Sequence, residues 1–283
     1  MSKLFCDNCS DLTVEQIREF DITMIKIPYF LDGVLVEDEF EKGFDDVKFF
    51  DKMEKGAVAS TASLNPIEYE ELFAPTLEAG EDVLYIGFSH SMSGTFNNMH
   101  TGIEELKKKF PERKITTIDT KQMCMGLGNL IKVVAKKHNE GMSDADIVKF
   151  VDAFSPKIMS YVTVDELKYL KRGGRISGLT AFVGGMFNIK PILKMVDGQL
   201  TKIDKVKGRK TSLKTISQFL ETDSVDLNYP IAISHARCAD EVAQMKTDLL
   251  AKYPNAEIIT PTMGPIIGTH VGPGTIALFF VKK

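Results

Sequence analysis

Apolar and polar positions switch period repeatedly along this chain. Runs rich in apolar and β-branched residues at 3–7, 23–27, 83–88 and 114–119 are short and alternate little. They predict buried strands, and runs covered on both faces belong to parallel sheets. Between them apolar residues fall three or four apart: Met99, Ile103, Leu106 and Phe110 mark one helical face. Helices are predicted over 14–20 with Ser10-Asp11 as a capping pair, over 44–55 with Gly56 as the stop, and from Pro66 through Leu77. Another covers 125–139 up to Gly141, and Ser143 caps one more that ends before Pro156. Asp32-Gly33 is a turn between short extended pieces.

Beyond Pro156 the pattern changes. A strand is predicted over 158–164 and a short helix over 165–172, closed by Gly173-Gly174. Strands 191–196 and 200–206 flank Asp197-Gly198, a hairpin signal. Helices over 211–220 and 240–253 separate strands at 231–234 and 257–260, and 275–281 is a closing strand. The expected architecture is α/β with two α/β domains. Residues 1–156 carry a mainly parallel sheet and residues 157–283 a mixed one. The cleft between them is the natural place for a ligand.

Composition narrows the classes. The 283 residues are 43% hydrophobic and 26% charged, with a net charge of −4. That is a soluble globular balance, without the basic footprint that nucleic acid or an anionic membrane demands. No apolar run is long enough to span a bilayer, and Asp7 arrives too early for a secretory signal, so a cytoplasmic location is expected. Cys6 and Cys9 have the spacing of half a zinc site or a redox pair, but Cys124 and Cys238 do not complete a second pair. Unpaired thiols in a reducing compartment, with no metal or cofactor, are expected. A phosphate loop, a dinucleotide fingerprint and a nucleophile elbow are all missing.

Neutral donors gather in three places. Ser60-Thr61-Ala62-Ser63 and Ser89-His90-Ser91-Met92-Ser93-Gly94-Thr95 are hydroxyl-rich turns leading into helices. Residues 264–275 frame His270 with glycines and prolines that restrict its backbone. Taken singly, Thr61 and Ser93 read as helix caps and His270 as a core or loop histidine. Taken together they suit one small polar group, held at a helix N-terminus where Gly94 lets it approach the backbone. A serine hydrolase using Ser93 and His270 on acyl esters is the alternative, and it needs an orienting acid. Residues 165–177 end a short amphipathic helix with Lys171, Arg172, Gly173, Gly174 and Arg175, and the helix dipole accounts for all these cations but Arg175.

These motifs together resemble the DegV family of bacterial fatty-acid-binding proteins over nearly the whole chain. Asp7-Asn8-Cys9-Ser10-Asp11-Leu12 is similar to the family's opening motif, Ser93-Gly94-Thr95-Phe96 to its Ser-Gly-Thr-Tyr turn, and the stretch ending at Ser177 to its Lys-Gly-Gly-Arg-Ile-Ser signature. Residues 264–275 look like its C-terminal His loop. The chain departs from the family in Thr61-Ala62-Ser63-Leu64-Asn65, where a Ser and a Pro are lost, and in Lys207, where the family has Arg. The resemblance implies two α/β domains enclosing a long-chain fatty acid. Its carboxyl group would be held by Thr61, Ser93 with Gly94, and His270. Phe182, Met186, Phe187, Ile266 and Ile267 are candidates for the tail pocket. The resemblance also implies a separate ATP-dependent fatty acid kinase that forms an acyl phosphate for a phospholipid-synthesis enzyme. Arg172, Arg175 and Lys207 are candidates for docking that kinase, and transient membrane contact would deliver the lipid.

Overall fold

The computed structural model describes residues 2–36, 43–175 and 188–283. Strand β1 (Lys3–Asp7) lies between β2 (Thr23–Ile25) and β6 (Val83–Gly87), with β7 (Ile115–Asp119) beyond β6, and every pairing is parallel. Each residue of β6 is buried, which is why that run shows no polar alternation. The later half builds a mixed sheet. Its order is β10 (Gln199–Lys207), β9 (Ile189–Val196), β8 (Ile158–Thr163), β13 (Ile276–Val281), β11 (Ile231–His235) and β12 (Ile258–Ile259). Only β11 and β12 pair in parallel; the other neighbours are antiparallel. The chain is therefore α/β, with a parallel sheet first and a mixed sheet second.

A third sheet was not foreseen. Strand β3 (Tyr29–Leu31) pairs antiparallel with β4 (Val34–Val36) and with β5 (Ala59–Thr61). Three-residue strands are too short for a period to show.

The helices largely follow the expected periods, but several ends differ. Helix α1 (Val14–Glu19) is capped by Thr13, in a reciprocal box with Gln16, and not by Ser10-Asp11. Helix α2 (Asp46–Glu54) follows, and α3 (Pro66–Glu78) is capped by Asn65 with Glu68. Thr61 is therefore no cap. Helix α4 (Thr95–Lys109) packs on α3, and α5 (Cys124–Asn139) precedes α6 (Asp144–Phe154). Helix α7 (Lys168–Arg172) is shorter than expected, while α8 (Arg209–Thr222) and α9 (Ala239–Lys252) cover the mixed sheet. The segment around His270 is a helix, α10 (Pro265–Val271), and not a loop. Gly264 is its N-cap and Pro265 opens its first turn, where a missing N–H costs nothing.

Helix α5 joins the two larger sheets. Leu127, Leu130, Ile131 and Val134 belong to the core of the parallel sheet, while Cys124 and Met125 pack with Val162 and Phe279 of the mixed one. Each such side chain contributes about 1.5–3 kcal/mol when fully buried. Helix α10 touches α7, β5, α2 and the turn after β1, so it sits where all the layers meet. The apolar stretch that includes Phe182, Met186 and Phe187 lies outside the described residues. Among the described residues no helix is long and apolar enough to cross a membrane.

The contact between α3 and α4 gives a test. A methyl group at Gly102 would lie 2.4 Å from the Pro66 carbonyl oxygen. Helix propensity alone favours Ala over Gly by about 1 kcal/mol. The close packing reverses the sign, and Gly102→Ala is expected to destabilise by about 1–3 kcal/mol. Urea unfolding measures this, and an unchanged or higher midpoint would show that the helices do not approach so closely.

Candidate functional site

A cavity of about 90 Å³ lies beside α10. Cys9, Ile27, Phe88, Met92, Leu170 and Leu200 form most of its apolar wall. Ile266 and Ile267 stand on the same wall. Its polar groups are Thr61, Ser63, Ser93, Thr95, Arg175 and His270. Residues distant in sequence thus converge on one cavity, apolar over most of its surface and hydroxyl-rich in part.

The His270 Nε2 atom lies 2.9 Å from Thr61 Oγ1. Its Nδ1 is buried with no partner. Burial first, and the Arg175 charge second, push the imidazole down to about 4, so the ring is neutral at physiological pH. A neutral ring carries one proton. An N–H at the unpartnered Nδ1 would be left unsatisfied, so the hydrogen-bond pattern assigns the proton to Nε2, which donates to Thr61. The Thr61 hydroxyl then keeps its own hydrogen for a ligand.

The helix-ending glycines explain Arg175. Gly174 takes a left-handed φ of 73° at the end of α7. Its N–H donates to Lys171 O at 3.1 Å, and the Arg175 N–H reaches back to Leu170 O at 3.0 Å. This is a Schellman closure, which glycine adopts without strain. Gly173 serves another need: a methyl there would lie 2.3 Å from His270 Nδ1, so only a bare backbone fits against the ring. The closure throws the Arg175 side chain into the cavity wall. Its Nε donates to Met92 O at 3.1 Å, beside the turn that bears Ser93. Burial lowers the Arg175 pKa from its ordinary value, yet a guanidinium remains a cation.

Ser93 and Thr95 flank the N-terminus of α4, with their hydroxyl oxygens 2.8 Å apart. The Ser93 hydroxyl oxygen also accepts the Thr95 N–H at 3.3 Å. The tip of the β9–β10 hairpin braces this turn from the mixed sheet, because Ser89 donates to Gly198 O at 2.7 Å. Gly94 is the N-cap itself, at a φ of −73° with open space where a Cβ would stand. It is not among the residues that line the cavity.

Ser93 and His270 share the cavity, but each bonds another residue, Thr95 and Thr61. Among the described residues no carboxylate bonds the His270 ring, the partner an activated serine-histidine pair needs. Arg172 and Lys207 are exposed and do not line the cavity, and the Arg172 guanidinium lies over the Tyr169 ring at 5.9 Å. The cysteines are free and buried, and burial pushes their thiols up. Among the described residues no group of side chains could hold a metal ion. Sequence reasoning placed Thr95 in the donor turn without naming it as a site residue, and it missed most of the apolar wall. The Ser-x-Thr spacing was a usable signal for Thr95, whereas wall residues such as Leu170 look like any core position.

Fold and cavity together define a class: an α/β protein with a parallel and a mixed sheet, whose largely apolar pocket meets a guanidinium, a neutral imidazole and hydroxyls. A family model described as "Uncharacterised protein, DegV family" matches residues 1–283. The chain belongs to the DegV family. It is 34% identical to a DegV domain-containing protein of Clostridium perfringens, over 98% of this chain and 96% of that one. It is similar to the solved fatty acid binding DegV family protein SAG1342 of Streptococcus agalactiae, at 26% identity and a TM-score of 0.87, over 100% and 99% of the two chains. The same fold recurs in the Streptococcus pneumoniae Fatty Acid Kinase (Fak) B3 protein loaded with linoleic acid, at 17% identity and a TM-score of 0.82, with both chains fully covered.

The electrostatics make a prediction. In proton NMR of the histidine-labelled protein, His270 is expected to stay neutral from pH 7 down to about 4. Arg175→Met removes the neighbouring charge and should raise that midpoint. Burial, the larger cause, should hold it below the ordinary value near 6.5. A midpoint at the ordinary value in both proteins would show that the ring is not enclosed.

Proposed function

We propose that this protein binds a long-chain fatty acid with its carboxyl end in the pocket beside α10, whose volume of about 90 Å³ holds the head and not the whole tail, and presents that carboxyl group to a separate ATP-dependent kinase. One observation carries the reading: an apolar wall meets Arg175, a neutral His270 and several hydroxyls in one cavity. A carboxylate fits that end. Arg175 balances its charge, Thr61 and Ser93 donate to it, and the neutral imidazole holds Thr61 in place rather than competing as an ion. Burying about 16 carbons would release roughly 12 kcal/mol gross, at about 0.8 per methylene. Lost freedom of ligand and chain removes much of that, so the tail sets affinity and the polar end sets orientation.

The solved DegV relative from Streptococcus agalactiae is described as fatty acid binding, which supports the lipid. The likeness in fold to the Fak B3 protein supports a kinase partner. In this reading the chain is a carrier and the partner supplies catalysis, forming an acyl phosphate for a phospholipid-synthesis enzyme. Arg172 and Lys207 are exposed on the surface and suit an acidic docking face, while Arg175 stays with the head group. Buried, unpaired thiols suit the reducing cytoplasm.

Gentle purification followed by lipid extraction and mass spectrometry tests the ligand. A fatty acid is expected to co-purify, or added oleate or palmitate to bind. Absence of both would falsify the proposal. Ser93→Ala should lower acyl-phosphate formation about 10–100-fold, the worth of a hydrogen bond to a charged group, and His270→Ala about 3–10-fold through the freed Thr61, and both should reduce tail binding less. Equal loss of both would remove orientation as the role of these residues.

A further inference from the structure

Asp11 belongs to the opening motif; its backbone ends a short 3-10 turn over Asn8–Ser10, yet its side chain caps no α-helix and it does not line the lipid pocket. Its backbone takes a φ of 53°, in the left-handed region that Asp tolerates better than most residues. Its carboxylate spans two other elements. The Oδ1 atom accepts the Gly264 N–H at 2.9 Å, and Oδ2 accepts the Cys124 thiol at 2.7 Å. A methyl at Gly264 would lie 2.9 Å from Oδ1, so the backbone approaches as closely as glycine permits. Helix α10 has no side-chain cap of its own, and seven residues do not hold a helix alone.

We infer that Asp11 is a positioning residue for the polar end of the pocket. Its carboxylate pins the start of α10 to the loop after β1 and to the start of α5, and so fixes where Ile266, Ile267 and His270 stand. The ligand served is that of the proposed function; the pinning itself does not depend on it.

The groups facing Asp11 define its charge. Cys9 lies on its own loop and Cys124 on α5. Glu15, Arg18, Lys26 and Glu68 line the groove of about 770 Å³ that Asp11 also borders. Burial raises the Asp11 carboxyl to about 7, against the lowering effect of the Cys124 and Gly264 bonds. Both oxygens accept when it is ionised. Protonation turns one into a donor and loosens the latch, so the pin is firmest above neutral pH.

Histidine-labelled protein without lipid, followed by NMR from pH 5 to 9, tests the latch. In the wild type the His270 signal should show an inflection near pH 7, far above its own protonation. Asp11→Asn keeps an acceptor for Gly264 but cannot titrate, and should abolish the inflection while leaving the signal in place. Asp11→Ala should move the signal at every pH. No inflection in the wild type, the same inflection in Asp11→Asn, or an unmoved signal in Asp11→Ala overturns the proposal. If Asp11→Ala does not fold, the Asp11→Asn comparison decides alone. With oleate at pH 8, Asp11→Ala should bind about tenfold more weakly and Asp11→Asn should recover most of the loss. A wild type that binds no oleate removes the proposed function and leaves the NMR outcome standing.

Discussion

The pocket depends on how a seven-residue helix is held in place. Helix α10 is too short to be stable by its own hydrogen bonds, and its ends leave backbone groups without intrahelical partners. Its surroundings supply what it lacks. Asp11 takes the Gly264 N–H at one end, and the Thr275 hydroxyl donates to the Val271 carbonyl at 2.9 Å at the other. Apolar burial does the rest: Ile266, Ile267 and Val271 are each almost fully enclosed. His270 stands on a helix held on several sides.

That clamp sets the electrostatics. Enclosure holds His270 neutral, and the nearest cation, Arg175, reinforces it. The two groups differ in kind. The guanidinium supplies charge that does not vary with pH, and the imidazole supplies a directed hydrogen bond. Their proximity follows from the Gly173-Gly174 closure of α7, which sets the backbone against the ring and aims Arg175 at the cavity.

Much of the architecture was legible in the pattern of apolar positions. Strands β1, β6 and β7 and helices α3 to α6 lie close to where the periods placed them, because each buries a continuous run or one helical stripe. The Asp197-Gly198 hairpin was legible from its turn residues. Less legible were features decided by competition for a side chain. Asp11 reads as a cap from sequence, but its carboxylate is drawn to Gly264 and Cys124, and Thr13 caps α1 instead. Likewise Thr61 bonds His270, while Asn65 caps α3.

Local chemistry decided the elements, the turns and the kinds of donor present, since propensity and hydrophobic period act over a few residues. That Thr61, Ser93 and His270 stand at one cavity was suggested by motif resemblance and realised only by packing. Which glycine is a turn and which a contact, whether Arg175 faces outward or inward, and whether His270 carries charge are settled by neighbours distant in the chain. Burial and close approach are properties of the assembled layers, and no short stretch of sequence contains them.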